Sequence, residues 1–90
     1  MSVEINLPQF LQHVADNVKV VSVGGSTVGE CLDGLVKRFP DLEPHLFDRK
    51  GRLHGYIDVF VNRQSAYPEE LARPVADGDK LHIINIIVGG

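Results

Sequence analysis

Cysteine is almost missing from this chain: Cys31 is the single one in 90 residues. A lone thiol excludes an internal disulfide and fits a reducing, cytoplasmic setting. Long apolar runs are missing too. None approaches the roughly 18 residues of a membrane span, so no membrane partner is expected. Met1 to Ile5 lacks a basic segment followed by an apolar core, so no signal peptide is expected. Basic clusters are absent as well. Nine Lys and Arg stand scattered among 12 acidic residues, for a net charge of −3. Nucleic acid is therefore not expected as a partner.

Side-chain chemistry is equally sparse. The histidines, His13, His45, His54 and His82, include no pair four apart on a helix, so no metal site is expected. There is no Ser-His-Asp arrangement, no glycine-rich phosphate loop and no cysteine cluster. No cofactor is expected, and the chain reads as a non-enzyme. Glu69-Glu70 reads as a solvated loop. Asp77-Gly78-Asp79 reads as a turn and not as a metal loop, because Asp and Gly both suit tight turns.

What is present is a clear order of elements in a single domain-sized chain. Val3, Ile5 and Leu7 alternate with Glu4 and Asn6, a half-buried strand ended by Pro8. Gln9 to Asn17 fits either a helical turn or a loop anchored by Phe10, Leu11 and Val14. Lys19 to Val23 reads as a second strand, antiparallel to the first, broken by Gly24-Gly25. Thr27-Val28-Gly29-Glu30 has the spacing of a capping box. Val28, Cys31, Leu32, Leu35, Val36 and Phe39 then form one stripe on a 3.6-residue period, so Cys31 belongs to the core. Lys37 and Arg38 suit the last turn, and Pro40 marks the end.

Asp41 to Phe47 reads as a short irregular or 3₁₀ segment tucking in Leu42, Leu46 and Phe47. Asp48 to Gly51 is a turn. Ile57, Val59 and Val61 predict a third strand, with Phe60 on its opposite face. Arg63-Gln64-Ser65 reads as loop, and Tyr67 to Leu71 as a short turn or brief edge strand. Ala76 to Asp79 turns into a final strand over Lys80 to Asn85. A hairpin, a crossing helix and further strands make an α+β plan. The first and last strands are then expected as central parallel neighbours.

The end of the sequence is its most unusual stretch. A largely apolar, β-branched run, Leu81 to Val88, leads into Gly89-Gly90. Two glycines pass through a channel too narrow for other residues. They would place the terminal carboxylate of Gly90 deep inside a partner enzyme. A carboxylate resists nucleophiles until its oxygen becomes a leaving group, for example as a mixed anhydride with AMP. The reactive atoms are then backbone atoms. The six residues 85–90 reach roughly 20 Å when extended. Residues 1–84 are read as the globular domain and 85–90 as an extended tail. Ile84 and Ile86 fall out of phase with Leu81 and Ile83, so they are expected to join Phe60 in an exposed apolar patch. That patch, with Ile87 and Val88, is the candidate partner-binding surface. Gly90, supported by Gly89, is the candidate reactive end.

Three stretches carry a family resemblance: Thr27 to Leu32, Val59 to Asn62, and Ala76 to Ile83 leading on to Val88-Gly89-Gly90. They resemble the sulfur-carrier proteins of the β-grasp, or ubiquitin-like, fold, over Val3 to Gly90. Length and the Gly51-Arg52-Leu53-His54 step are most similar to the carriers that serve cysteine synthesis. The resemblance implies a mixed sheet of four to five strands with one main helix across one face. It implies that an ATP-dependent activating enzyme adenylates Gly90, and that a sulfur donor converts it to a thiocarboxylate. It also implies a sulfur-accepting biosynthetic enzyme, similar to a cysteine synthase, and a zinc peptidase that releases the product. The same pattern is shared by the small subunit of molybdopterin synthase, by the thiamine sulfur carrier and by ubiquitin-like modifiers conjugated through Gly90.

Overall fold

A computed structural model describes residues 2–86. The elements are β1 (Val3–Asn6), α1 (Gln9–Gln12), β2 (Val20–Val23), α2 (Val28–Arg38), α3 (Glu43–Leu46), β3 (Ile57–Val61), β4 (Gln64–Ser65) and β5 (Lys80–Asn85). Short 3₁₀ turns cover His13–Ala15, Pro40–Leu42 and Glu70–Ala72. The five strands form one mixed sheet in the order β2-β1-β5-β3-β4. β1 pairs antiparallel with β2 and parallel with β5, as the alternation and the need for a crossover imply. This is the β-grasp arrangement.

α2 forms where its signals stand. The Thr27 hydroxyl accepts the Glu30 N–H at 3.2 Å. The Glu30 carboxylate reaches back one residue further than in the usual capping box, to the Ser26 N–H at 2.8 Å. Val28, Cys31, Leu32 and Leu35 are fully buried, while Val36 and Phe39 pack partly against the same core. Each large side chain so buried contributes about 1.5–3 kcal/mol. The sheet side of that core is Val3, Ile5, Val21, Ile57, Val59, Leu81 and Ile83, with Leu42 and Leu46 closing one end.

Gln9 to Asn17 resolves into helical turns: α1 and the 3₁₀ turn bury Leu11 and Ala15. One expectation is corrected: Gln64-Ser65 is a strand and not a loop, pairing antiparallel with Val61 and Phe60. Of the two alternatives for Tyr67 to Leu71 the short turn forms, a 3₁₀ turn over Glu70–Ala72. Its packing against α2 explains a glycine: a Cβ at Gly29 would lie 3.0 Å from the Leu71 carbonyl oxygen. Among the described residues, no helix is long and apolar enough to cross a membrane.

Candidate functional site

β5 lies in the middle of the sheet and carries the chain towards its end. The Asp-Gly-Asp turn sets its start. Gly78 adopts φ 88°, a conformation that favours glycine. The Asp79 carboxylate accepts the Ala76 N–H at 2.8 Å and the Asn62 side-chain amide at 3.2 Å. Those donors, the Ala76 N–H first, hold Asp79 below the usual carboxylate range. The Asn62 side-chain oxygen accepts the Lys80 N–H at 3.1 Å, which ties the first residue of β5 to the end of β3. At the other end, the Ile86 N–H donates to the Tyr56 carbonyl at 2.7 Å. β5 is thus pinned at both ends.

Alternation divides its side chains. Leu81 and Ile83 point into the core, whereas Ile84 and Ile86 are 39% and 37% exposed. The antiparallel register sets Phe60 opposite His82 and Asp58 opposite Ile84. Phe60 is half-buried and so is a partial member of the exposed patch. Tyr56, two residues before Asp58, shares its strand phase and is 47% exposed. Its ring stacks on His54 with centroids 4.8 Å apart and planes 8° apart. His54 Nε2 lies 2.9 Å from the Pro44 carbonyl oxygen, so the stack is anchored from the α3 side. Phe60, Ile84, Ile86 and Tyr56 therefore line one side of the route along which β5 leaves the sheet. Ile87, Val88, Gly89 and Gly90 lie outside the described residues.

Two contributors were not singled out from sequence. Tyr56 shares the even-numbered phase of Phe60, and that phase was the available signal. Asp58 is 5% exposed on the same phase. Its carboxylate accepts the Ser65 hydroxyl at 2.6 Å and the Val59 N–H at 2.8 Å. Ser65 Oγ in turn accepts the Tyr67 N–H at 3.2 Å. A carboxylate within Ile57–Val61 was the visible clue, but its partner comes from β4. Fully satisfied, this network fixes the β3–β4 hairpin beneath the patch.

Among the described residues, no group of three or more His, Cys, Asp or Glu is placed to hold a metal ion. Burial, with the nearby Glu30 charge adding to it, pushes the Cys31 thiol up, so a reactive thiolate is disfavoured. Asp48 accepts the Arg52 and Lys50 N–H groups and sits below its ordinary range. A cavity of 530 Å³ lies between Arg52-Leu53 and the 68–72 segment; Phe60, Ile84 and Ile86 do not line it.

A family model described as the ThiS family matches residues 5–90. The sulfur carrier protein CysO of Mycobacterium tuberculosis is 29% identical over 93 aligned residues, covering all of both chains. Small archaeal modifier protein 1 of Haloferax volcanii is 37% identical over 73 residues, 81% of this chain and 80% of that one. Among solved structures, the Amycolatopsis orientalis BexX/CysO complex matches with a TM-score of 0.87 and 30% identity, covering 98% of this chain and 99% of the matched one.

Proposed function

The chain belongs to the ThiS family, and on that premise we propose that it is a sulfur carrier whose Gly90 carboxylate becomes a thiocarboxylate. Full-length similarity to a sulfur carrier, together with a Gly-Gly end, is the observation that carries this reading. An ATP-dependent activating enzyme converts the carboxylate to an acyl adenylate, releasing pyrophosphate. A sulfur donor then displaces AMP and leaves sulfur on the terminal acyl carbon. Sulfur is soft and weakly hydrated, so the product is a better nucleophile than the carboxylate. Its sulfur attacks an activated serine-derived acceptor held by a client biosynthetic enzyme of the cysteine-synthase kind, displacing the acceptor's leaving group and forming a thioester. The Gly90 acyl group then shifts from sulfur to the new cysteine's amine, and a zinc peptidase hydrolyses that amide behind Gly90. The carrier supplies no catalytic side chain to any of these steps and is a substrate of its partners, in the reducing cytoplasm that suits a lone thiol.

The fold supports this by presenting a rigid body behind a short reach. In this reading the tail of 85–90 begins inside the sheet, where Asn85 pairs with Ile57 as the last residue of β5. Ile86 is held by Tyr56, so the four residues beyond it span at most about 14 Å when extended. A partner active site within that reach requires the body to dock closely. Ile84, Ile86, Tyr56 and Phe60 are the apolar surface suited to such docking; Ile87 and Val88, the other expected members of the partner-binding surface, lie outside the described residues. That CysO is seen in complex with BexX supports a carrier that works through bound partners.

The test is intact mass after incubation with ATP, the activating enzyme and sulfide. We expect the gain of one oxygen exchanged for sulfur, lost when Gly90 is deleted while the circular dichroism stays unchanged. An unchanged mass with an enzyme that still forms acyl adenylate would overturn the reading. The likeness to an archaeal modifier favours one second reading, conjugation of Gly90 to lysines of target proteins. Isopeptide-linked remnants of this chain on lysines, Leu81 to Gly90 after trypsin, found in digests of the source cells, would support it.

A further inference from the structure

The two edges of the sheet differ, and one is open. β4 ends the sheet with two residues, whereas β2 ends it with four, alternately exposed and buried. On the β1–β2 ladder the Leu7 N–H donates to the Lys19 carbonyl at 2.9 Å, which makes Leu7, Ile5 and Val3 the residues bonded to β2. Glu4 turns the other way, its N–H donating to the Asp79 carbonyl at 3.0 Å. Val20 and Ser22, opposite Asn6 and Glu4, therefore point their backbone groups out of the sheet. Of these groups the Ser22 carbonyl accepts Arg38 Nη1 at a long 3.3 Å. The Val20 N–H and carbonyl and the Ser22 N–H have no partner among the described residues.

The surroundings of this edge are basic and shallow. Lys19 precedes it, and Lys37 and Arg38 flank it from the last turn of α2; all three are exposed. Gly34 leaves the helix side flat, since even a Cβ there would lie 3.6 Å from the Val23 side chain. Two acids stand near this edge, Glu4, which pairs with Ser22 on one side and Lys80 on the other, and Asp33 beside Gly34; Lys19, Lys37 and Arg38 outnumber them, and Glu30 is engaged by Ser26. We infer that the free edge of β2 receives, by strand addition, an extended acidic segment of a partner protein. Main-chain bonds to Val20 and Ser22 supply the register, and alternate side chains lie over Gly34 and Val23. Arg38 leaves the Ser22 carbonyl to meet an incoming carboxylate, which it binds as a stronger, charge-assisted pair. Until then it blunts the edge. A second copy of the chain is disfavoured, because antiparallel β2–β2 pairing would bring two sets of Lys19 and Arg38 together.

The experiment is a backbone amide titration of the nitrogen-labelled full chain. The probe is a synthetic peptide of alternating valine and threonine ending in glutamates; its control ends in lysines. We expect shifts and slowed amide exchange centred on Val20 and Ser22, with the control peptide silent. Arg38→Glu should weaken binding about tenfold or more, since it removes the charge-assisted pair and sets an acid against an acid. Ser22→Pro should abolish it, because its N–H is outward and unused by the fold. Should that variant not fold, Lys19→Glu with Arg38→Glu decides in its place. No binding, equal binding of both peptides, shifts at Ile84 and Phe60 instead, or a dimer in sedimentation without peptide would each overturn the proposal.

Discussion

On the inner face of the sheet, Ile5, Val59 and Leu81 share one core with α2 and have no accessible surface. On the outer face, Val20, Tyr56, Ile84 and Ile86 are between 37% and 47% exposed. β5 supplies both sets, with Ile83 buried and Ile84 exposed one residue on. The inner set answers to packing, where volume and phase are fixed by neighbours. The outer set is free of that constraint, so its composition mixes apolar and polar groups. Under the proposed docking, stability and recognition fall on opposite sides of a single sheet and can be perturbed separately.

The comparison breaks if inner and outer substitutions have the same consequences. Leu35→Ala should have the largest effect, a loss of about 2–5 kcal/mol in chemical denaturation, because a fully buried leucine leaves a cavity. Ser65→Ala comes next. It removes one donor from the buried Asp58 carboxylate and should cost about 1–3 kcal/mol, read in the same way. A smaller effect on the fold, with a clear one on binding, is expected for Ile84→Thr combined with Ile86→Thr. Threonine keeps the β-branch and avoids placing an acid opposite Asp58. Stability should hold within about 0.5 kcal/mol, while affinity for the activating enzyme by calorimetry should fall about tenfold. The reverse pattern would refute the division between the two faces.

The smallest effect concerns acid. Asp48 and Asp79 have folded values below the unfolded one, near 3.9 for Asp. Their contribution is therefore complete above that value and is lost as pH falls through the lower, folded one. Both turns should stay intact at neutral pH. Amide exchange at Ala76, Lys50 and Arg52 should quicken only below about pH 4.

Much of the fold was legible because its signals are local. The period of 3.6 from Val28, the hydroxyl at Thr27 and the Asp-Gly-Asp turn each act within a few residues. The limits of β5, Lys80–Asn85, follow from them and from alternation. β4 was not legible. Gln64-Ser65 is too short and too polar to show a period, and only its partners Val61 and Phe60 make it a strand. The burial of Asp58 was hidden for the same reason, since Ser65 reaches it from the neighbouring strand. The Phe60–Ile84–Ile86 patch was visible as phase. Its enlargement by Tyr56 depended on the anchored His54 ring, a contact that spacing does not announce.

β5 is clamped between a parallel neighbour and an antiparallel one. A machine that grips this protein by its end pulls along the axis of that strand. The load then falls on both ladders together, in shear, and not on one bond after another as in unzipping. Withdrawing the strand means rupturing the rungs on both flanks at once. The body should therefore withstand repeated tugging while its end is handled and released.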